Sequence, residues 1–313
     1  MPKVSVIVPN YNHGNYLNQR IDSIIGQTYQ DFELIILDDC STDDSETVIN
    51  QYREYPKVSH IVFNEVNSGT TFKQWKKGIE LAKGEYIWIA ESDDWCESNL
   101  LETLIKGLEG NPQCVMAYCQ SYVIKGDNTI SKVSFHNKLA EYVNGKKYIQ
   151  EYLTGSCSIW NASTVLFKKA YYLNVSDEFT TFRMCGDWRF YIDMAQQGDV
   201  FICGEVLNYF RKHDKDVSGA MYGSGNNYLE ELKILKYIKN ESLISEQQFK
   251  AHLLFKYIQF SVFKYKFTPG IAAEVEESFY HNEGQFYKSF LRYNSKLSLF
   301  KIKAKRRLNL MFQ

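Results

Sequence analysis

The first 112 residues alternate between short apolar runs and segments whose apolar residues recur at helical spacing. The runs predict strands and the spaced segments predict helices. Predicted strands cover 4–9, 32–37, 58–63 and 86–90, and predicted helices cover 16–25, a segment ending at 52, 72–82 and 100–108. Residues 41–44 would cap the second helix, and Lys83-Gly84 would end the third. This alternation predicts an α/β fold with a mostly parallel sheet flanked by helices.

The pattern changes after this alternating region. From 113 to 220 it is mixed, with strands predicted over 115–124 and 200–211 and a helix over 188–196. Beyond residue 220, long apolar faces at helical spacing predict helices. We therefore predict one domain over 1–220, with halves at 1–112 and 113–220. A helical C-terminal region with a basic tail would occupy 221–313.

Polar residues follow three of the predicted strands. Asn10-Tyr11-Asn12 follows the first, Asp38-Asp39 the second, and the acids of 91–94 the fourth. Ligands of such sheets bind beyond the carboxyl ends of the strands. Carboxylates gathered there raise each other's pKa unless a cation lies between them, and Mg²⁺ usually combines one or two carboxylates with substrate phosphates. Helix capping would explain any one acid, but the set predicts a nucleoside-diphosphate site.

Four motifs in this order resemble the nucleotide-binding half of the family 2 glycosyltransferases. They are P-N-Y-N at 9–12, L-D-D-C-S-T-D at 37–43, A-K-G-E-Y-I at 82–87 and E-S-D-D at 91–94. The resemblance covers roughly residues 1 to 215. It implies the GT-A fold, with its Rossmann-like sheet, a UDP-sugar or dTDP-sugar donor, and Mg²⁺ or Mn²⁺ as cofactor.

The resemblance also implies roles for single residues. Tyr11 would stack on the uracil or thymine, and Asp39 would hydrogen-bond the edge of that base. Asp94 would ligate the metal that bridges the diphosphate, while Asp93 would hold the ribose or join the metal site. The other nucleotide-binding candidates are Pro9, Asn12, Asp38 and Lys73.

The chain departs from its relatives at several positions. Cys40 stands where many relatives have Gly, and we expect the small thiol to be tolerated. Relatives often have Asp where Glu91 stands, so Glu91 is not assigned to the metal. Lys73 is our candidate for the charge that relatives supply with Arg, although a solvated surface lysine is the alternative.

Transfer of a sugar to a hydroxyl group requires a base that takes the proton. Residues 183–195 place Asp187 at the start of an amphipathic helix, where an N-cap role is the alternative. Similar glycosyltransferases carry their base at this position, commonly in Glu-Asp-Trp, and Gly186 replaces the Glu here. A single base acid implies an inverting single displacement, and Asp193 would point elsewhere.

Two later segments also resemble these enzymes. Residues 161–168 resemble the strand on the acceptor side, and 209–218 resemble a loop with an Arg-x-His sequence. Arg211 and His213 are therefore candidates for contacts with the diphosphate or the metal.

The composition bears on the compartment and on partners. Seven scattered cysteines without a Cys-x-x-Cys pair predict free thiols in a reducing compartment. The first residues lack a signal-peptide pattern, so we expect a cytoplasmic protein.

Residues 286–313 carry eight basic residues and no acid; removing +8 from the net charge of −1 leaves −9 for the first 285. This tail predicts peripheral contact with the anionic inner face of the membrane, and packing on the core or in a homodimer is the alternative. The acidic body argues against a nucleic-acid partner.

Together these features predict an inverting, metal-assisted glycosyltransferase. Its acceptor would be a hydroxyl group of a cell-surface polysaccharide or lipid-linked glycan. A nucleotidyltransferase would need a glycine-rich basic loop after the first strand, and residues 10–15 hold one Gly and no Lys or Arg. A non-catalytic sugar-nucleotide-binding subunit is the other alternative.

Overall fold

The computed structural model describes residues 1–213, 224–280 and 287–297. The chain divides into two compact units. The first comprises residues 1–153 and 157–214, and the second comprises 154–156 and 215–313. All the candidate site residues belong to the first unit.

Within the described residues, ten strands form one sheet in the order β3-β2-β1-β4-β9-β6-β10-β5, with β7 beside β6 and β8 beside β10. The strands are β1 Val4–Asn10, β2 Phe32–Asp38, β3 Val58–Phe63, β4 Tyr86–Ile89, β5 Trp95–Cys96, β6 Cys114–Ile124, β7 Ile130–Val133, β8 Ala140–Val143, β9 Val165–Lys168 and β10 Asp199–Arg211.

The predicted α/β fold is confirmed, and its parallel part lies in the first half of the chain. β3, β2, β1 and β4 run parallel. β9 then pairs antiparallel with both β4 and β6, whereas β10 runs parallel to β6. The sheet is therefore parallel through its first four strands, β1 to β4, and mixed beyond them. Residues 161–168, which resemble the acceptor-side strand, contain β9.

Helices cover both faces of the sheet. In the first unit they are α1 Gly14–Ile25, α2 Ser45–Asn50, α3 Thr71–Leu81, α4 Leu100–Glu109, α5 Gly145–Tyr148 and α6 Gly186–Ala195. Leu17 of α1 and Leu104 of α4 join Val6 of β1 in one buried cluster, while α3 packs on Ile7, which points to the opposite face. Each large apolar side chain buried in this way stabilises the fold by about 1.5–3 kcal/mol.

Two local expectations hold for where a helix starts or ends but not for the contacts involved. Helix α2 ends at Asn50, and its N-cap Asp44 makes no side-chain capping bond. Asp43 instead accepts hydrogen bonds from the backbone N–H of Ser45 at 3.0 Å and of Gly14 at 2.9 Å, which links the starts of α2 and α1. Gly84 does not cap α3 in a left-handed conformation. A Cβ there would lie 2.5 Å from the backbone nitrogen of Ser5, so close approach to β1 requires the glycine.

The second unit is helical, as the sequence predicts. It contains α7 Asn226–Asn240, α8 Glu246–Phe263 and α9 Pro269–Ser278, and residues 287–297 are also helical. Ser245 and Gln248 form a capping box at the start of α8. Among the described residues, no helix is long and apolar enough to span a bilayer. Most of the basic tail, including 298–313, lies outside the described residues.

Candidate active site

Three loops meet at one edge of the sheet because their strands are parallel neighbours. β1 lies between β2 and β4, and Asn10 at the end of β1 is in register with Asp38 at the end of β2. The loop after β4 follows at the same edge, since Ala90 N donates to the carbonyl of Ile7 at 2.8 Å. The polar residues at 10–12, 38–39 and 91–94 therefore share this edge.

Asp38 and Asp39 are buried and hold the neighbouring loops in place. Asp38 accepts hydrogen bonds from Asn10 Nδ2 at 2.7 Å and from the backbone N–H of Ser41 at 2.8 Å. Cys40 follows the two aspartates, and its φ of 64° is in the left-handed region that favours glycine. Glycine adopts this backbone conformation without the steric cost that a side chain brings.

Asp39 organises the loop that leads into α3. Its carboxylate accepts hydrogen bonds from Asn64 Nδ2 at 2.7 Å, from Gln74 Nε2 at 2.9 Å, and from the Ser68 hydroxyl at 2.8 Å. Lys73 is exposed on helix α3, and its Nζ donates to the Ser68 carbonyl at 2.8 Å. Contacts of Asp39 with a base and of Lys73 with phosphate stay predictions.

The first loop offers an exposed aromatic ring. Tyr11 is 48% exposed, whereas Pro9 is buried in β1. Asn12 has a φ of 56°; its backbone N–H donates to Ser41 Oγ at 2.8 Å, and its Oδ1 accepts from the backbone N–H of Thr42 at 2.7 Å. These bonds join the loops after β1 and β2 and leave the Tyr11 ring at the surface.

The acids of 91–94 diverge into different surroundings. Glu91 Oε1 accepts from Trp75 Nε1 at 2.9 Å. Asp94 is buried, and its two oxygens accept from Ser163 Oγ at 2.6 Å and from the backbone N–H of Arg211 at 3.0 Å. Asp93 instead lies 3.1 Å from Nε2 of His213. The carboxylates thus avoid one another by facing different partners.

The same three acids differ in the direction in which their pKa values are shifted. Burial raises the pKa of Glu91 to about 8, and the charge of Asp93 adds to this effect. Burial and the charge of Asp93 also raise the pKa of Asp94 to about 7. Burial opposes ionisation of Asp93 as well, but its hydrogen bond with His213 and the charges of His13 and His213 outweigh burial, so the pKa of Asp93 is lowered. Asp93 therefore gives up its proton more readily than Glu91 and Asp94 do.

Glu91 gives the first testable prediction, for protein without metal or nucleotide. Because its pKa rises from 4.5 to about 8 on folding, the folded state binds the extra proton. The contribution of Glu91 to the free energy of unfolding should then fall as the pH rises from about 4.5 to 8, by up to about 1.4 kcal/mol per pH unit. Glu91→Gln should remove this contribution, and the exposed Glu46→Gln should not. Urea unfolding at several pH values tests this; parallel curves for wild type and Glu91→Gln would contradict it.

His13, Asp93 and His213 form a cluster in which one ligand atom of each residue lies within 4.8 Å of the others. They come from the loops after β1, β4 and β10. His13 Nδ1 lies 2.8 Å from Ser92 Oγ, and its ring meets the His213 ring edge-on at 5.3 Å. Sequence reasoning missed His13, although its position two residues after Tyr11 places it on this edge.

Arg211 is packed beside this cluster. Its guanidinium lies 4.7 Å from the Tyr16 ring and 4.5 Å from the Trp95 ring. Nε donates to the backbone carbonyl of Asp93 at 2.9 Å, and Nη2 donates to Gln19 Oε1 at 2.7 Å. Arg211 thus orders the Asp93 loop, and its contact with a diphosphate stays a prediction.

Asp187 lies in the first turn of α6. The helix begins at Gly186 with Cys185 as its N-cap, so Asp187 is not the N-cap residue. Its side chain is half-buried, and Oδ1 accepts from the backbone N–H of Trp188 at 2.7 Å. Burial and then the charge of Asp187 raise the pKa of Tyr191 above its usual range, which places the buried Tyr191 hydroxyl near Asp187.

Asp193 faces a different environment, as the sequence predicts. It is buried and pairs with Arg189, with 3.0 Å between Oδ1 and Nε. Arg189 also pairs with Glu178. Since Asp193 serves this ion pair, Asp187 remains the base candidate on α6.

Packing explains the glycine that replaces glutamate before Asp187. A Cβ at Gly186 would lie 2.5 Å from the Phe179 carbonyl oxygen and 2.5 Å from the Phe72 ring. We expect Gly186→Ala to lower the free energy of unfolding by about 1–3 kcal/mol because it overpacks this contact. Gly126→Ala is the control, since nothing lies within 4 Å of its added Cβ. Equal urea midpoints for the two variants would contradict the packing argument.

Comparisons with known sequences agree with this architecture. The model of glycosyl transferase family 2 matches residues 5–175, more than half of the chain. Glycosyltransferase GlyG of Streptococcus pneumoniae is 39% identical over 106 residues, which cover 34% of this chain and 35% of GlyG. Poly(ribitol-phosphate) β-N-acetylglucosaminyltransferase TarP of Staphylococcus aureus is 36% identical over 119 residues, 37% of this chain and 36% of TarP. The chain thus spans little more than a third of the length of these relatives.

Solved structures share the fold at low sequence identity. TarS residues 1–349 of S. aureus, in complex with UDP, has a TM-score of 0.68 at 18% identity, covering 94% of this chain and 87% of that one. A mannosyltransferase of Pyrobaculum calidifontis, in complex with GDP-Man and Mn²⁺, has a TM-score of 0.56 at 16% identity. The match covers 97% of this chain and 82% of the mannosyltransferase. These similarities show the GT-A fold.

Proposed function

Because this chain belongs to glycosyl transferase family 2, we propose that it is an inverting, metal-dependent enzyme that transfers a sugar from a UDP-sugar. The observation that carries this proposal is the cluster of Asp93 with His13 and His213, at the edge of the sheet where the loops after β1, β2 and β4 meet. A dTDP-sugar is the alternative donor, since thymine presents the same edge as uracil to the pocket.

The nucleoside would occupy the loops after β1 and β2. Tyr11 supplies an exposed ring for stacking. Pro9 is buried at the end of β1 just before this loop, and Asn12 bonds the loop to Ser41. Asp38 and Asp39 bind Asn10 and Asn64 beside it. The choice of uracil rests on similarity, because the S. aureus TarS structures contain UDP and UDP-GlcNAc.

The donor set fits a divalent cation. Asp93 offers a carboxylate, His213 offers an imidazole nitrogen 3.1 Å away, and the nearby guanidinium of Arg211 is directed at a backbone carbonyl. We assign the metal to Asp93 and His213 and not to Asp94, whose two oxygens already accept hydrogen bonds in the interior. A bound cation would neutralise the charge that develops on the departing diphosphate. Lys73 is a further candidate for phosphate contact.

Asp187 acts as the general base in this proposal. It takes the proton of the acceptor hydroxyl while the acceptor oxygen bonds to the anomeric carbon. The bond from that carbon to the diphosphate oxygen breaks in the same step, and UDP leaves with the electron pair. One base and one displacement invert the anomeric configuration.

We propose that the acceptor is a hydroxyl group of a cell-surface polysaccharide or a lipid-linked glycan. This proposal is supported by the similarity of the chain to TarP, a poly(ribitol-phosphate) β-N-acetylglucosaminyltransferase. Contact of the basic tail with an anionic membrane would bring the site to a lipid-linked acceptor.

A donor screen by thermal shift tests this function. UDP-, dTDP- and GDP-sugars are added with Mn²⁺, and transfer is then measured with the donor that binds. A ligand at 100 times its Kd stabilises the folded protein by about 2.7 kcal/mol, so a uridine donor should raise Tm clearly. A response to GDP-sugars alone, or to none of the donors, would contradict the proposal.

A further inference from the structure

The loop after β1 contributes a histidine to the proposed metal site. We propose that His13 is a third protein ligand, and that His13, Asp93 and His213 hold a transition-metal ion before the nucleotide arrives. This inference rests on the proposed function, because the bound ion would later meet the donor diphosphate. It differs from a site in which the metal enters only as a complex with the nucleotide.

The ligand atoms of the three residues already lie close to the spacing that one bound ion requires. One ligand atom of each residue lies within 4.8 Å of the other two, and Asp93 and His213 are separated by 3.1 Å. Bonds of about 2.0–2.2 Å from one ion to nitrogen and oxygen ligands place neighbouring ligand atoms about 3–4 Å apart. Small rotations of His13 would therefore complete the set.

Surrounding contacts hold these side chains in position. His13 contacts Ser92, the residue before Asp93, through Nδ1 and Oγ at 2.8 Å. The Tyr16 ring stacks on His213 at 5.4 Å and meets His13 edge-on at 5.9 Å. All three candidate ligands are partly accessible to solvent, and the His213 and Asp93 side chains are 10% and 15% exposed. A preformed set loses little conformational entropy when an ion binds.

The donor set also predicts which ion is bound. Mg²⁺ prefers oxygen ligands and keeps several waters, whereas imidazole suits transition metals. Two histidines with one carboxylate resemble the facial sets that leave open positions for a substrate. We therefore expect Mn²⁺ or Co²⁺ to bind without nucleotide and Mg²⁺ to bind much more weakly.

Titration of nucleotide-free protein with Mn²⁺, followed by electron paramagnetic resonance, tests the inference. Wild type should bind one Mn²⁺, and pulsed spectra should show nitrogen coupling from two imidazoles. His13→Gln should weaken binding by about tenfold or more and leave coupling from one imidazole. His60→Gln, on edge strand β3, is the matched control and should match wild type.

Two outcomes would overturn the inference: no Mn²⁺ binding to wild type without nucleotide, or unchanged affinity and nitrogen coupling in His13→Gln. Donor measurements separate this failure from failure of the proposed function. If wild type transfers sugar from a UDP-sugar but binds Mn²⁺ only together with UDP, the function stands and the His13 site is wrong. If no donor binds or reacts, the proposed function itself fails, whatever the metal titration shows.

Discussion

Asp187→Asn is expected to slow sugar transfer severely while donor binding stays intact. The variant keeps the shape of the side chain but cannot take the acceptor proton, and general-base catalysis contributes about 10²–10⁴-fold to rate. We therefore expect kcat to fall by about that factor. Binding of UDP with Mn²⁺ should not change, because Asp187 lies on α6 and the nucleotide loops follow β1, β2 and β4.

The control for Asp187 is another acid that precedes α6. Asp177 is exposed and pairs with Lys76 at the surface, so Asp177→Asn should transfer sugar at the wild-type rate. Initial rates and UDP calorimetry on both variants are the measurement. Normal transfer by Asp187→Asn would show that another group takes the proton.

Asp93→Asn is expected to remove the dependence of UDP binding on metal. Asp93 is the ionised carboxylate beside His213, so its loss removes the charge that attracts the cation. Substitutions that only support a metal ligand typically cost about 10–100-fold in affinity. We expect at least that loss for UDP measured with Mn²⁺, and little change without metal.

Asp94→Asn distinguishes the two metal assignments. Asp94 accepts hydrogen bonds from Ser163 and from the backbone of Arg211, so its substitution should lower stability more than it lowers metal dependence. Asp44→Asn, an exposed acid on the neighbouring loop, is the control for loss of charge. Metal-dependent UDP binding that survives in Asp93→Asn and disappears in Asp94→Asn would reverse our assignment.

Hydrophobic periodicity predicted the elements of the first half well. The strands that end at Asn10, Asp38 and Ile89 were predicted to within a residue or two, because buried parallel strands read as continuous apolar runs. The short strands β5, β7 and β8 were not predicted. All three have few residues. β7 is exposed throughout, so it lacks an apolar pattern, and β5 and β8 are defined by pairing with β10, which is distant along the chain.

The sequence located the acidic edge but did not assign its members. Asp94 faces the interior because it accepts hydrogen bonds from Ser163 and from the backbone of Arg211, which lie 69 and 117 residues away along the chain. Asp93 is thereby left for the metal. His13 also becomes a candidate metal ligand only when the fold brings His213 beside it. Such long-range partners cannot be derived from spacing along one chain.

The central claim is that the edge formed by the ends of β1, β2 and β4 holds a metal-bound nucleoside diphosphate. Crystals grown with UDP and Mn²⁺, and measured with anomalous scattering from manganese, test it most directly. We predict one manganese peak at Asp93 and His213, in contact with diphosphate oxygens, and a uracil ring against Tyr11. A manganese peak or a nucleotide at any other part of the protein would contradict the account.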